Sequence, residues 1–351
     1  MLNSSSSYNN QPIKIGIHSR ENSFSERWIS YCKKNNISYK IIDCLSLSVI
    51  EEINNENITH VLWHLNHASN KDQTIAPYLL NCLEEMGIGV FPNYATRQHF
   101  NDKIAQYTKM IAINAPMIPT YIYFDKNEAK NALKSVDFPM VSKLKGGAGS
   151  TSVKLIHSKK EAQQLIEKMF SVGVGATPKV FENMDQKLRL TKKIKNPLRL
   201  ITKIKKHIND VAKEKKSNAI ERNYVLFQKF LPKNNYDTRI IVVGERAFGI
   251  RRWNKKNDFR ASGSGIIDYD WTKIDPKIVE LAFETNEKLK MQSVAFDIIY
   301  DENQQLRIIE FCFGFSMKAY DECPGYWNRD LSFVHEKFNP QEWMIQLLIE
   351  K

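Results

Sequence analysis

The spacing between apolar runs changes partway along this 351-residue chain, and that change limits the folds open to it. Up to about residue 92 the runs are short and are separated by helix-length segments. Residues 13–17, 38–42 and 59–63 read as strands, and 23–35 and 72–86 read as helices. Parallel strands need a crossover between them, so this rhythm predicts a small open α/β domain over 1–92. No G-x-G-x-x-G follows its first strand, so a dinucleotide site has no support there. From residue 223 onward the runs nearly touch: 223–231, 238–243 and 246–253, then 294–300 and 306–312 across a short polar turn, with a helix at 276–290. Strands that close together pair as antiparallel hairpins. The fold class is therefore α+β with an α/β N-terminal domain. The second domain covers 93–351, with a helix opening at Lys103 and strands at 120–124 and 139–145.

Composition excludes several classes. With 42% apolar and 26% charged residues the chain is globular. It has no apolar run long enough for a transmembrane helix. Five cysteines with no C-x-x-C pair give neither a disulfide framework nor a structural zinc site, which suits a reducing cytoplasm. The net charge of +12 is local. Residues 185–222 hold 13 Lys/Arg against 4 Asp/Glu, or +9. After Asn196-Pro197, Leu198, Ile201, Ile204, Ile208 and Val211 recur at helical spacing among lysines. This basic helical insertion suits solvated packing on the protein body, an anionic membrane surface on the inner face, or an acidic glycan. Nucleic acid is disfavoured because no aromatic residue interleaves with the lysines.

Three groups of residues carry chemistry. Lys143 precedes a loop containing Gly146, Gly147 and Gly149 with Ser150 and Ser152, whose amides and hydroxyls suit phosphate. A glycine-rich β-turn explains the same residues, and this is no Walker loop. Asp297 and Glu310 interrupt apolar strands. Each needs a cation partner, either Mg²⁺ shared with substrate phosphates or an Arg/Lys in an ion pair. Arg239, Arg251, Arg252 and Arg260 cluster in the β-rich part, and alternation lets only one of the pair 251–252 face inward. Guanidinium groups there would stabilise a transferring phosphoryl group.

In order, Asn101-Asp102-Lys103, Lys143 with its glycine loop, FQKFL, YDTRIIVVG, RRW…DFRASGSG, AFD ending at 297 and IIE ending at 310 resemble an ATP-grasp enzyme. The nearest resemblance is to the RimK-like and glutathione-synthetase-like carboxylate–amine ligases. It implies two α+β subdomains gripping ATP, with a hinge near 228–231. Lys103 and Lys143 would contact phosphates, and Gly146–Ser152 would form a mobile flap. Gln228, Phe230 and Leu231 would line the adenine pocket, and Asp237 would hold the ribose. Arg239, Arg252 and Arg260 would be the catalytic arginines. Asp297 and Glu310 would bridge two Mg²⁺ ions, with Mn²⁺ as an alternative. The implied reaction makes an amide from a carboxylate and an amine through an acyl-phosphate. The tail from Tyr320 to Met344 resembles a subgroup of surface-polysaccharide gene clusters, which makes a glycan or its precursor the expected substrate. The alternatives are an amino-acid or peptide ligase making a small natural product, and an inactive nucleotide- and polyanion-binding protein. Tyr320, Asp321, Tyr326, Trp327 and His335 would line the acceptor pocket or form an aromatic cap. Two positions depart from the family pattern: Lys229 replaces a hinge glutamate, and Cys312 replaces an asparagine metal ligand. A thiol is a poor Mg²⁺ ligand.

Overall fold

The computed structural model describes residues 12–67, 69–146, 152–175, 220–256 and 258–350. The chain divides into two compact units. One comprises 1–100, 105–117 and 234–351, and the other comprises 101–104 and 118–233.

The first unit opens with the alternating pattern. β1 (Lys14–His18), α1 (Phe24–Lys34), β2 (Ser38–Ile42), α2 (Val49–Asn55), β3 (His60–Trp63), α3 (Asn70–Glu85) and β4 (Gly89–Phe91) follow in turn. The four strands form one parallel sheet in the order β2-β1-β3-β4. α1 forms because Ser23 caps it, accepting from Ser25 N, and because Lys33 and Lys34 sit at its negative end. Its Phe24, Trp28 and Cys32, spaced i, i+4, i+8, are fully buried against the sheet. The short helices α4 (Tyr94–Arg97) and α5 (Lys103–Ala112) then lead out of this region.

The second half of this unit is antiparallel. β11 (Tyr236–Val243) and β12 (Arg246–Trp253) form a hairpin, and β14 (Ser293–Tyr300) and β15 (Leu306–Cys312) form another. The sheet runs β15-β14-β11-β12-β16-β17, with β13 (Ile267–Asp268) beside β12, β16 at Tyr326–Asn328 and β17 at Phe333–Val334. Close packing of the first hairpin needs Gly249, where a Cβ would come within 2.4 Å of Ile240 Cδ1. α8 (Pro276–Leu289) and the C-terminal α9 (Pro340–Ile349) cover the sheet, and one apolar core joins it to the parallel sheet. Arg27 of α1 pairs with Asp321 at 2.6 Å, tying the parallel half to the tail.

The second unit has its own core. Its antiparallel sheet runs β5 (Thr120–Tyr123), β10 (Val225–Lys229), β6 (Met140–Lys143) and β7 (Val153–Ile156). α6 (Lys126–Ala132) and α7 (Lys159–Met169) pack on it. β8 (Val174–Gly175) pairs with β9 (Ile220–Glu221), so the chain returns beside the point where it left. The basic insertion expected at 185–222 falls outside the described residues up to 219, as do Gly147, Gly149 and Ser150. Among the described residues no helix is long and apolar enough to cross a membrane.

Candidate active site

Register places the polar residues of four strands on one face. Arg239 of β11 stands opposite Asp297 of β14, Asp237 opposite Arg252 of β12, and Asp297 opposite Glu310 of β15. Side chains alternate along a strand, so Asp237 and Arg239 share that face while Arg251 takes the other. There Arg251 pairs with Asp268 and lies over the rings of Tyr236 and Trp253. Only Arg252 of the adjacent pair turns inward, as alternation predicts.

The cluster closes on itself. Arg239 donates from Nε to Asp297 Oδ1 at 2.5 Å and from Nη2 to Oδ2 at 2.7 Å. Arg252 holds Asp237 with Nε and Nη2 at 2.7 and 2.6 Å, and its Nη2 also lies 2.8 Å from Asp297 Oδ2. Two carboxylates and two guanidinium groups thus form a neutral, buried quartet. Burial pushes the Asp297 carboxyl up, but Arg239 and Arg252 outweigh it and hold the group well below the usual carboxylate range. Asp237 shifts the other way, upward, because burial and the Asp297 charge exceed the pull of Arg252. Tyr320 faces Arg239, and burial pushes its phenol up to about 12.

Glu310 behaves differently. It is half-buried, and among the described residues its carboxylate has no hydrogen-bond or ion-pair partner. Two residues on, Cys312 Sγ lies 3.3 Å from His67 Nε2 and receives the Gly314 amide. Burial pushes the Cys312 thiol up to about 11, so it is neutral at pH 7.

These contacts bear on the expected magnesium ligands. Both oxygens of Asp297 are occupied by guanidinium, which is the ion-pair alternative rather than an open ligand. A metal bridging Asp297 and Glu310 would have to displace the Arg239 and Arg252 guanidinium groups from Asp297. The Glu310 carboxylate does fit one Mg²⁺, since this ion binds through one or two carboxylates together with substrate phosphates. Among the described residues no group of three His, Cys, Asp or Glu side chains forms a metal cage.

The remaining expected residues are distributed as follows. Arg260 lies in the loop after β12, where Nε and Nη2 hold Asp258, each at 2.9 Å. In the second unit Lys143 is buried at the end of β6, and Gln228 donates to Thr120 Oγ1 at 3.0 Å. Leu231 is buried too, and Lys103 donates its amide to Lys145 O at 3.0 Å. Phe230 lies just past β10. The start of the glycine loop already holds an anion from its own chain. Lys145 N and Gly146 N donate to the two oxygens of Glu221 at 2.9 Å each, and Ser152 Oγ donates to Gly146 O. Nothing in the residue pattern marked Glu221 for this role. Arg20, His64 and His67 were also missed; the pair of histidines in HLNH just after β3 was the available signal.

The fold and the polar face define an ATP-grasp ligase. The RimK-like ATP-grasp domain profile matches residues 129–320, more than half of the sequence, and the chain belongs to that family. No curated protein matches it in sequence. Solved structures of similar fold include the biotin carboxylase domain of Hydrogenobacter thermophilus 2-oxoglutarate carboxylase (TM-score 0.59, 14% identity, 96% of this chain and 70% of that one). A RimK domain ATP-grasp protein from Sphaerobacter thermophilus gives 0.55 at 13% identity, covering 96% of this chain and 100% of that one. N5-carboxyaminoimidazole synthetase from Staphylococcus aureus, complexed with ADP, gives 0.57 at 11% identity, covering 97% and 79%.

Proposed function

We propose that the protein joins a carboxylate to an amine with ATP, releasing ADP and phosphate. The observation that carries this reading is the four-strand face on which Asp237, Arg239, Arg252, Asp297 and Glu310 converge. In the reaction a substrate carboxylate oxygen attacks the γ-phosphorus and ADP leaves. The amine then attacks the acyl carbon, phosphate leaves and the amine loses a proton. Magnesium held by Glu310, and by Asp297 once its guanidinium partners turn to phosphate, would neutralise phosphate charge.

The chain's own residues contribute position and charge. Arg239, Arg252 and Arg260 supply guanidinium groups for the transferring phosphoryl group, exchanging their carboxylate partners for phosphate oxygens. Lys103 and Lys143 supply ammonium charge to the nucleotide phosphates, and the amides of the glycine loop exchange Glu221 for a phosphate. Gln228, Phe230 and Leu231 receive the adenine, and Asp237 the ribose. Loop 146–152 excludes water, which would hydrolyse the acyl-phosphate. The two ATP-grasp subdomains are assigned to 93–351, after an N-terminal domain at 1–92. The MgADP in the Hydrogenobacter structure and the ADP in the Staphylococcus structure support the choice of nucleotide and ion.

The finer reading is a surface polysaccharide or its precursor as substrate, supported by the character of the tail. The +9 charge of 185–222 supports attraction to an anionic membrane or acidic glycan. Binding of a fluorescent ATP analogue with Mg²⁺ tests the proposal. The wild type should bind, and Lys143→Met should bind at least about tenfold more weakly. A wild-type protein with no nucleotide affinity would overturn it.

A further inference from the structure

The parallel sheet reverses its strand order at β1 and β3, since the chain winds to β2 on one side and to β4 on the other. In open α/β sheets the crevice outside the carboxyl ends at such a point takes ligands. Here the loop after β1 carries Arg20 and the loop after β3 carries His64 and His67.

Among the described residues Arg20 meets no anion: its Nε is buried without a hydrogen-bond acceptor, and no carboxylate pairs with its guanidinium. Leaving a buried charged donor unmet is costly, so the site is built for a partner that arrives from outside. The acid in the first turn of α3, Asp72, is already engaged: Asn66 N donates to Oδ2 at 3.0 Å and Ser69 Oγ to Oδ1 at 2.5 Å.

His64 supplies a second donor of fixed direction. The amide of Phe24 donates to His64 Nδ1 at 3.1 Å, and the Phe24 ring stacks on the imidazole at 3.7 Å. An imidazole that accepts at Nδ1 carries its proton on Nε2 when neutral. Burial first, then the charges of Arg20 and His67, lower its pKa to about 3, so the ring is neutral at pH 7. Its Nε2 faces Gly314, where a side-chain carbon would lie 3.7 Å from His64 Nε2 and 3.8 Å from His67 Nε2. Glycine therefore leaves a gap beside both rings. His67 bounds it through its contact with Cys312, two residues along β15 from Glu310.

From this geometry we infer that the carboxyl ends of β1 and β3, facing Gly314, form the pocket for the acid substrate, in which Arg20 binds the carboxylate and His64 Nε2–H donates to it. The inference rests on the ligase reading and settles which of the two substrates the N-terminal half receives. An ammonium would meet an unpaired guanidinium and be repelled. A carboxylate presents two coplanar oxygens to one planar cation and one neutral donor.

The test uses the full chain labelled with ¹⁵N-histidine, with glutarate as the probe and 1,5-diaminopentane and inorganic phosphate as comparators. Before any addition, His64 should appear as the Nε2–H tautomer. Glutarate should shift its Nε2–H resonance saturably, and diaminopentane should not. Arg20→Met should weaken glutarate binding by about tenfold or more, with Arg20→Lys intermediate. Arg20→Met should melt as the wild type does, because among the described residues its side chain makes no hydrogen bond. A shift from diaminopentane, glutarate affinity unchanged in Arg20→Met, or an Nδ1–H tautomer would each overturn the inference. Tighter binding of phosphate than of glutarate would overturn the carboxylate assignment. Nucleotide binding is measured on the same samples. Arg20-dependent glutarate binding in a protein that ignores ATP would sink the ligase reading and leave the pocket standing. ATP binding without Arg20-dependent glutarate binding would do the reverse.

Discussion

Arg239 grips Asp297 side-on, with its Nε and Nη2 each bonded to a different carboxylate oxygen across the β11–β14 pairing. This contact explains how an acid survives in an otherwise apolar strand, and it sets the energetic cost of altering either partner.

Removing the acid leaves Arg239 and part of Arg252 buried and uncompensated. Asp297→Asn should destabilise the fold by about 3–5 kcal/mol in urea unfolding. Replacing the pair together, as Arg239→Met with Asp297→Leu, should cost less than Asp297→Asn alone, because apolar residues of similar size tolerate that site. A loss below about 1 kcal/mol in the single variant would mean that the pair is open to water.

Acid should weaken the fold well before the Asp297 carboxyl titrates. His99 is buried, packed edge-on against Phe311 at 4.9 Å, and among the described residues neither ring nitrogen is hydrogen-bonded. Burial first, then Lys109, lowers its pKa to about 4, and His64 sits at about 3. An unfolded histidine titrates near 6.5, so below that pH the unfolded chain binds more protons and gains. Stability should fall by about 1.4 kcal/mol per pH unit for each histidine as pH drops from roughly 6.5 to 4. Urea midpoints at pH 7.5 and 5 measure this, and His99→Phe should remove only part of the difference, since burial also lowers His18, His60 and His64 while the raised Asp237 opposes them. Equal stability at the two pH values would contradict the burial of these rings. Asp297 adds its own loss further down, since the stability from its depressed pKa is complete above the unfolded value of about 3.9 and is lost as pH falls below it toward the folded pKa.

The Cys312 thiol should resist alkylation. At about 11 its pKa leaves few thiolates at pH 7.5, and the thiolate is the nucleophile. Iodoacetamide should modify it at least about tenfold more slowly than a free cysteine, followed by peptide mass spectrometry. Cys312→Asn places a hard oxygen two residues from Glu310 and should tighten Mn²⁺ binding in the presence of ATP by about tenfold. Mn²⁺ affinity unchanged by both Cys312→Asn and Glu310→Gln would remove Glu310 as the ion's ligand.

Much of the fold could be read from sequence because it follows local periodicity. The helix-spaced strands before residue 92, the β11–β12 and β14–β15 hairpins and the inward turn of only one of Arg251 and Arg252 all come from alternation and spacing. The short helices Val49–Asn55 and Lys126–Ala132 were missed, since seven residues give too few turns for a periodic signal. Asp297 showed that it needed a cation. Whether that cation was an arginine or a metal depended on cross-strand register, which no single strand encodes. His64 and His67 meet Gly314 only through the packing of the segment after β3 against the segment after β15, about 250 residues apart in the chain. From sequence these histidines therefore looked like ordinary loop residues.

Trapping the activated acid addresses the chemistry most directly. The protein is incubated with ATP, Mg²⁺, a panel of carboxylic acids and hydroxylamine as the amine, and nucleotide and hydroxamate are quantified. The expected result is equal amounts of ADP, phosphate and hydroxamate with at least one acid. Formation of AMP and pyrophosphate, or no nucleotide consumed with any acid, would contradict a ligase that works through an acyl-phosphate.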